Sequence, residues 1–216
     1  MLVDKKKSKV IFVKFPNHII DNNLLGTSEI YEISILLSYR KNTHNFSYPS
    51  LDILVRDWGG TMEYHNKIIK QLEEKGLITI RKRKSTNPQF PRNEYVFNFD
   101  LNTNFTRVPL DVIKMVNRGV IGKAEYSFFV KLLRRINNRF CNLFNVTISG
   151  LSKLLGYSPP TTRKLLDNLD KAWILDVTKH SKKTTMEITV MPQYLDSTFK
   201  PKPIKKNFED WEFGWE

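Results

Sequence analysis

Cysteine is almost absent. Cys141 is the only one in 216 residues, which excludes an intramolecular disulfide and a cysteine-based zinc site. It lies in the apolar run from Phe140 to Phe144 and reads as a small core residue. No apolar stretch approaches the length of about 20 residues that a membrane span needs. Val10 to Val13 is too short for the hydrophobic region of a signal peptide. The expectation is a reduced, cytoplasmic protein without membrane contact. Histidine is sparse as well: His18, His44, His65 and His180 are scattered. They have neither metal-ligand spacing nor the arrangement of two histidines flanking one residue that a metal-dependent nicking site would show. Gly122, Lys123 and Ala124 lack the upstream glycine and the hydroxyl residue of a phosphate loop. A nucleophile-elbow serine is also missing. These absences leave no catalytic residue, metal or cofactor to expect, and point to a non-enzymatic protein.

Acidic residues are outnumbered, 22 against 35 lysines and arginines, giving a formal net charge of +13 and a pI near 9.7. Such a surplus favours a polyanionic partner, because lysine and arginine replace the counterions condensed on phosphate. A solvated, lysine-rich surface would have the same composition, so charge alone does not decide.

A repeat decides more. Residues 48–80 match residues 145–177 without a gap at a shift of 97 positions. Leu51 falls on Ile148, Leu54 on Leu151, Trp58 on Leu155 and Gly59 on Gly156. Ile68 and Ile69 fall on Leu165 and Leu166, Leu72 on Leu169, and Leu77 and Ile78 on Ile174 and Leu175. Agreement at apolar and glycine positions, lost at polar ones, is what one fold used twice leaves behind. In each copy a short amphipathic segment, a glycine turn and a second amphipathic segment follow one another, which is a helix-turn-helix pattern.

In the first copy Ser50 starts a helix over Leu51 to Asp57, Gly59 and Gly60 make the turn, and Thr61 caps the next helix. That helix buries His65, Ile68, Ile69 and Leu72 and ends at Gly76, suited to a left-handed residue. His65 reads as a satisfied core imidazole. Leu77 to Lys82 and Glu94 to Phe99 alternate as paired strands. Upstream, Val10 to Phe15 is a β-rich run ended by Pro16 and Asn17. Thr27 or Ser28 caps a helix with Ile30, Ile33, Leu36 and Leu37 on one face. The second unit opens alike, Phe105 to Pro109 matching Phe12 to Pro16. A helix near residues 123–137 follows, with Tyr126, Phe129, Val130 and Leu133 on one face. Ser158 caps its reading helix, and Pro159 and Pro160 occupy the first turn, where no backbone donor is needed. Ile174 to Thr178 and Met186 to Met191 form the second pair of strands.

The fold class expected is α+β: two tandem winged-helix domains, each a helix-turn-helix plus a β-wing, with an extended C-terminal tail. Domain 1 with a mobile basic arm covers residues 1–102, domain 2 residues 103–197, and a Pro/Lys spacer with an acidic-aromatic tail residues 198–216. Each domain is expected to carry its own core.

The second helix of such a motif enters the major groove, and its outward side chains reach base edges. In copy one these are Met62, Glu63, Tyr64, Asn66, Lys67 and Lys70, with Thr61 at the cap. In copy two they are Thr161, Arg163, Lys164 and Asn168, with Ser158 at the cap. Asn66 suits adenine and Arg163 guanine. The bland alternative is the wet side of an amphipathic helix. Arg81, Lys82, Arg83 and Lys84, with Arg92 beyond the loop, put five positive charges on the first wing with no acid expected among them. The second wing, with Lys179, Lys182 and Lys183, is weaker, and its helix carries Asp167 and Asp170. Phe208, Trp211, Phe213 and Trp215 lie among four acids in the tail and need a docking surface. A partner protein, the chain's own basic face and a packing strap all satisfy that need.

The segment Phe12 to Asn17, the entry at Tyr48 to Leu51 and the exit at Leu72 to Ile78 resemble the winged helix-turn-helix domains of plasmid and phage replication initiators from low-GC Gram-positive bacteria. The likeness covers about residues 10–192. Two positions depart from that pattern: His65 stands where an aliphatic core residue is usual, and Trp173 where a glycine normally ends the reading helix. The resemblance implies sequence-specific binding of double-stranded DNA and replication initiation for a mobile element. A transcriptional repressor or a conjugation accessory protein would share these units. From another class, so would a winged-helix interaction scaffold, which predicts no salt-dependent DNA binding. A homodimer is compatible with every reading.

Overall fold

A computed structural model describes residues 11–41, 44–83, 92–101, 104–136, 142–179 and 184–194. The expectations for the arm, Lys84, Cys141, His180, Lys182, Lys183 and the tail lie outside the described residues. Within them the chain is α+β, and the element order runs twice through one plan. The first half has strand β1 (Phe12–Pro16), helices α1 (Asn17–Asp21) and α2 (Thr27–Ser38), strand β2 (Phe46–Ser47), helices α3 (Leu51–Trp58) and α4 (Met62–Glu74), and strands β3 (Ile78–Arg83) and β4 (Arg92–Phe97). The second has β5 (Phe105–Pro109), α5 (Leu110–Asn117), α6 (Lys123–Ile136), β6 (Asn142–Thr147), α7 (Ile148–Leu155), α8 (Pro159–Lys171), β7 (Leu175–Lys179) and β8 (Thr185–Val190), closed by the 3-10 turn Pro192–Tyr194. Each half folds its strands into an antiparallel sheet of the same order, β2-β4-β3 and β6-β8-β7.

The two opening strands, alike in sequence, pair with each other. β1 and β5 form an antiparallel ladder from Phe12 opposite Pro109 to Pro16 opposite Phe105, centred on Lys14 opposite Arg107. Positions 14 and 107 are the same position of the repeat, since Phe12 corresponds to Phe105. An antiparallel pair of equivalent strands centred on equivalent residues is a local two-fold axis. The ladder continues at both ends by matching bonds, Asn17 N to Asn104 O at 3.0 Å and Leu110 N to Ile11 O at 2.8 Å.

That pairing sets α2 against α6, with the Tyr31 ring edge-on to Tyr126 at 5.8 Å. Both helices are buried on every side through their middles, Glu29 to Leu37 and Tyr126 to Val130. The two expected cores are therefore one: a continuous cluster of buried side chains runs from Val13 and Phe15 through Ile33, Leu36, Phe128 and Phe129 to Ile188 and Val190. The boundary segment is knitted in as well, Thr106 Oγ1 donating to Asn17 Oδ1 at 2.6 Å and Asn17 Nδ2 to Asn104 Oδ1 at 2.8 Å.

Local expectations hold with small shifts. Ser50, Thr61 and Ser158 cap α3, α4 and α8. Neither Thr27 nor Ser28 caps α2. The cap is Gly26, whose N–H donates to Glu29 Oε2 at 2.7 Å, and Gly122 with Glu125 repeats the device ahead of α6. Trp173 takes the slot of Gly76, with φ 56 against 70. The helix-to-strand geometry survives, because Leu77 N bonds Leu72 O and Ile174 N bonds Leu169 O, both at 3.0 Å.

A shared core predicts shared unfolding. Phe129→Ala in α6 should cost about 3–5 kcal/mol, and hydrogen exchange at α4 amides of the other half should accelerate with it. Unchanged α4 protection would show that the halves unfold independently.

Candidate nucleic-acid interface

The turn between α3 and α4 is built from glycine. Gly59 has φ 70 and Gly60 φ 84, a conformation L side chains rarely adopt. Leu54 and Trp58 anchor α3, and the Trp58 Nε1–H donates to Tyr39 Oη at 2.9 Å. Thr61 Oγ1 accepts from Tyr64 N at 3.1 Å, and His65, Ile68, Ile69 and Leu72 form the inner face of α4. In the second half one left-handed glycine, Gly156 at φ 74, suffices. Ser158 Oγ accepts from Thr161 N at 3.4 Å, and α8 buries Thr162, Leu165, Leu166 and Leu169.

Under each turn the core position is polar. His65 is 1% exposed; its Nδ1 lies 2.9 Å from both Glu32 carboxylate oxygens and its Nε2 2.8 Å from Gly59 O. Gly59 O can only accept, so Nε2 carries a proton, and the carboxylate favours a second on Nδ1. Burial pushes the imidazole pKa down, but the Glu32 hydrogen bond and charge, with the Gly59 carbonyl, outweigh it; His65 titrates above an ordinary histidine. The counterpart, Thr162, bonds Ser152 Oγ at 2.9 Å. Sequence reasoning missed Glu32: an acid one position in four on an amphipathic helix reads as solvent-facing until His65 is seen against it.

The second half also reaches the first turn. Asn117 Nδ2 donates to Asp57 O at 2.9 Å, and a Cβ on Gly59 would lie 3.0 Å from Asn117 Oδ1. Lys123 Nζ sits 3.8 Å from the centre of the Tyr64 ring, a cation–π contact. Nothing in the repeat pattern pointed to Asn117 or Lys123, since both contacts depend on how the halves pack.

On the outward faces the structure brings together Met62 (45% exposed), Glu63, Asn66, Lys67 and Lys70 on α4, and Thr161, Arg163 and Lys164 on α8. Two expected residues turn elsewhere. Tyr64 is half-buried beneath Lys123 with its hydroxyl buried. Asn168 donates to Glu125 Oε1 at 2.8 Å. The Thr61 and Ser158 hydroxyls are committed to their caps. Arg81 and Lys82 are exposed on β3, and Arg83 pairs in register with Arg92 at the end of the ladder. The first hairpin is not free of acid, however, because Glu94 stands opposite Arg81. Lys179 is exposed, 3.9 Å from Asp167. Asp170 serves the fold: its Oδ1 accepts from Val177 N at 3.1 Å, as Glu73 Oε1 accepts from Ile80 N at 2.9 Å.

Among the described residues no group of three or more histidines, cysteines and acids could hold a metal ion, and no helix is long and apolar enough to cross a membrane. No protein-family model matches the chain, and no curated protein is significantly similar to it.

The raised pKa of His65 has a signed consequence. Its stabilisation is fully present below the ordinary histidine value of about 6.5 and is lost as pH rises through the folded value. The melting temperature of the native chain should fall on going from about pH 6 to pH 9, and that fall should shrink in the neutral pair Glu32→Gln/His65→Gln. Equal slopes in thermal melts of the two chains would remove His65 as the source.

Proposed function

We propose that the chain is a non-enzymatic, sequence-specific binder of double-stranded DNA made of two winged-helix units, and that it initiates replication of a plasmid, phage or other mobile element. The observation that carries the reading is the pair of equivalent helices, α4 and α8. Each is held from behind by a shared core and faces outward with groups suited to base edges and phosphates: Asn66, Lys67 and Lys70 on one, Thr161, Arg163 and Lys164 on the other. Arg81 and Lys82 extend the basic surface along β3. The initiator role rests on the sequence resemblance; repressors and conjugation factors use the same units.

The local two-fold axis adds geometry. Two reading helices related by such an axis meet DNA in opposite senses, as those of a symmetric dimer do, so one chain would cover two inverted half-sites roughly one helical turn apart. Their exposed residues differ, so the half-sites would be unlike in sequence. Footprinting on DNA beside the gene tests this: a tract of inverted, non-identical half-sites is expected. A perfect palindrome covered by a dimer would mean that only one helix reads bases.

Affinity should fall about a thousandfold between 50 and 200 mM salt if roughly six phosphates are neutralised. Equal affinity for random single strands would contradict duplex reading. Neutralising Arg81, Lys82, Arg83 and Lys84 should weaken all sequences alike and flatten the salt slope. Asn66→Ala or Arg163→Ala should instead relax preference at a few base pairs by about 1–3 kcal/mol each. The reverse pattern in binding titrations would exchange the two roles.

A further inference from the structure

Trp173 combines two unfavourable features. Its φ of 56 lies in the left-handed region that disfavours any side chain other than glycine, and its surface is 70% exposed. The first half places Gly76 in the equivalent slot with the same backbone bonds, so nothing in the fold itself asks for an indole there. A second exposed apolar residue, Val120 (53%), follows the end of α5, whose Met115 touches Tyr194. The connection runs from Val120 N to Met115 O at 3.0 Å, from Met115 Sδ to the Tyr194 hydroxyl at 3.8 Å, and from Gln193 Nε2 to Trp173 O at 3.3 Å. Lys171 at the end of α8, two residues before Trp173, and Arg118 at the end of α5 are exposed, while Lys114 is paired with Asp111 at 3.6 Å.

We infer that this face, centred on Trp173, is the docking site of the chain's own acidic-aromatic segment, residues 207–216. The described chain leaves the fold at Tyr194, next to Gln193 and its bond to the Trp173 carbonyl. The twelve residues 195–206 reach up to about 40 Å when extended, ample for a return to the same face. The segment carries Phe208, Trp211, Phe213 and Trp215 to cover the indole, and Glu209, Asp210, Glu212 and Glu216 to meet Lys171 and Arg118. Apolar cover with a charged rim is the ordinary anatomy of such a contact. The site also stays clear of the proposed DNA face, because α8 is 13 residues long and spans about 20 Å between its capped start and Trp173.

The test uses the full chain and Trp173→Gly, which keeps the backbone that Gly76 already adopts. Chymotrypsin cleavage at residues 208–215 should be about tenfold faster in Trp173→Gly, since cleavage tracks the undocked population. An unchanged melting profile of the body would confirm that the variant folds. Replacing the four tail aromatics by serine should shift the Trp173 indole N–H resonance, identified by its loss in Trp173→Phe. Equal cleavage rates with an unmoved resonance would overturn the proposal. So would protection that grows with protein concentration alongside dimer sedimentation, which would seat a second copy's tail on the face. Protection that appears only when a partner protein is added would likewise overturn it.

Discussion

Pairing of β1 with β5 is the constraint from which the rest of the arrangement follows. Five residues of each strand, equivalent by repeat, lie antiparallel about Lys14 and Arg107. Their inward residues Val13, Phe15, Thr106 and Val108 are buried. A slip of one residue would send that set to the opposite face, so the buried positions hold the register and the register holds the two-fold relation. Once the strands are paired, α2 and α6 have no solvent side left through their middles, and the two halves close around one core. The orientation of α4 relative to α8 is then a property of packed side chains rather than of a linker.

The symmetry is local, and its departures matter. α5 runs Leu110–Asn117 where α1 stops at Asp21, and its extra length carries Asn117 to the α3–α4 turn. Lys123 rests on Tyr64 of α4 in the same way. The first turn is therefore held from three sides: by His65 from beneath, by its own glycines, and by the second half. The second turn has one glycine and the Thr162–Ser152 pair. A buried ion pair stabilises little by itself and is costly to break. The His65–Glu32 pair thus serves better as a determinant of geometry, fixing Gly59 O and with it the angle at which α4 leaves the turn.

Much of this was legible from residue patterns, and the misses have physical causes. The helices of both turns could be read because apolar spacing, a hydroxyl cap and a glycine stop coincide at Ser50, Thr61, Gly76 and Ser158. The all-round burial of α2 could not, since Glu32 and Ser34 look like solvent-facing residues until their partners His65 and the Ile30 carbonyl are known. β2 has two residues, too few for an alternation to show. The likeness of Phe12–Pro16 to Phe105–Pro109 was visible, but pairing between strands some ninety positions apart in sequence leaves no local trace. In the sequence pattern Glu94 merely starts a strand. Only the register of β3 against β4 sets it across from Arg81 and lowers the net charge of that hairpin. Which outward residues project freely was equally non-local, as Tyr64 and Asn168 are claimed by Lys123 and Glu125 from the other elements.

Trp173 shows how strongly the repeated framework overrides residue preference. On one side of it Ile174 N is bonded to Leu169 O and Trp173 N to Asp170 O; on the other Met191 N is bonded to Ile174 O and Asp170 accepts from Val177 N. The first half has the same set around Gly76, from Leu77 N, Gly76 N, Asn98 N and Ile80 N. With helix and strand both anchored, the residue between them has one backbone conformation available, and tryptophan must adopt it at a cost glycine avoids. Such strain persists only where the surroundings over-determine it. The helix, the strand and the 3-10 turn do over-determine this position, which makes the left-handed backbone a consequence of the fold. The choice of an exposed indole to occupy it is not, and an explanation for the side chain has to be sought outside the half that contains it.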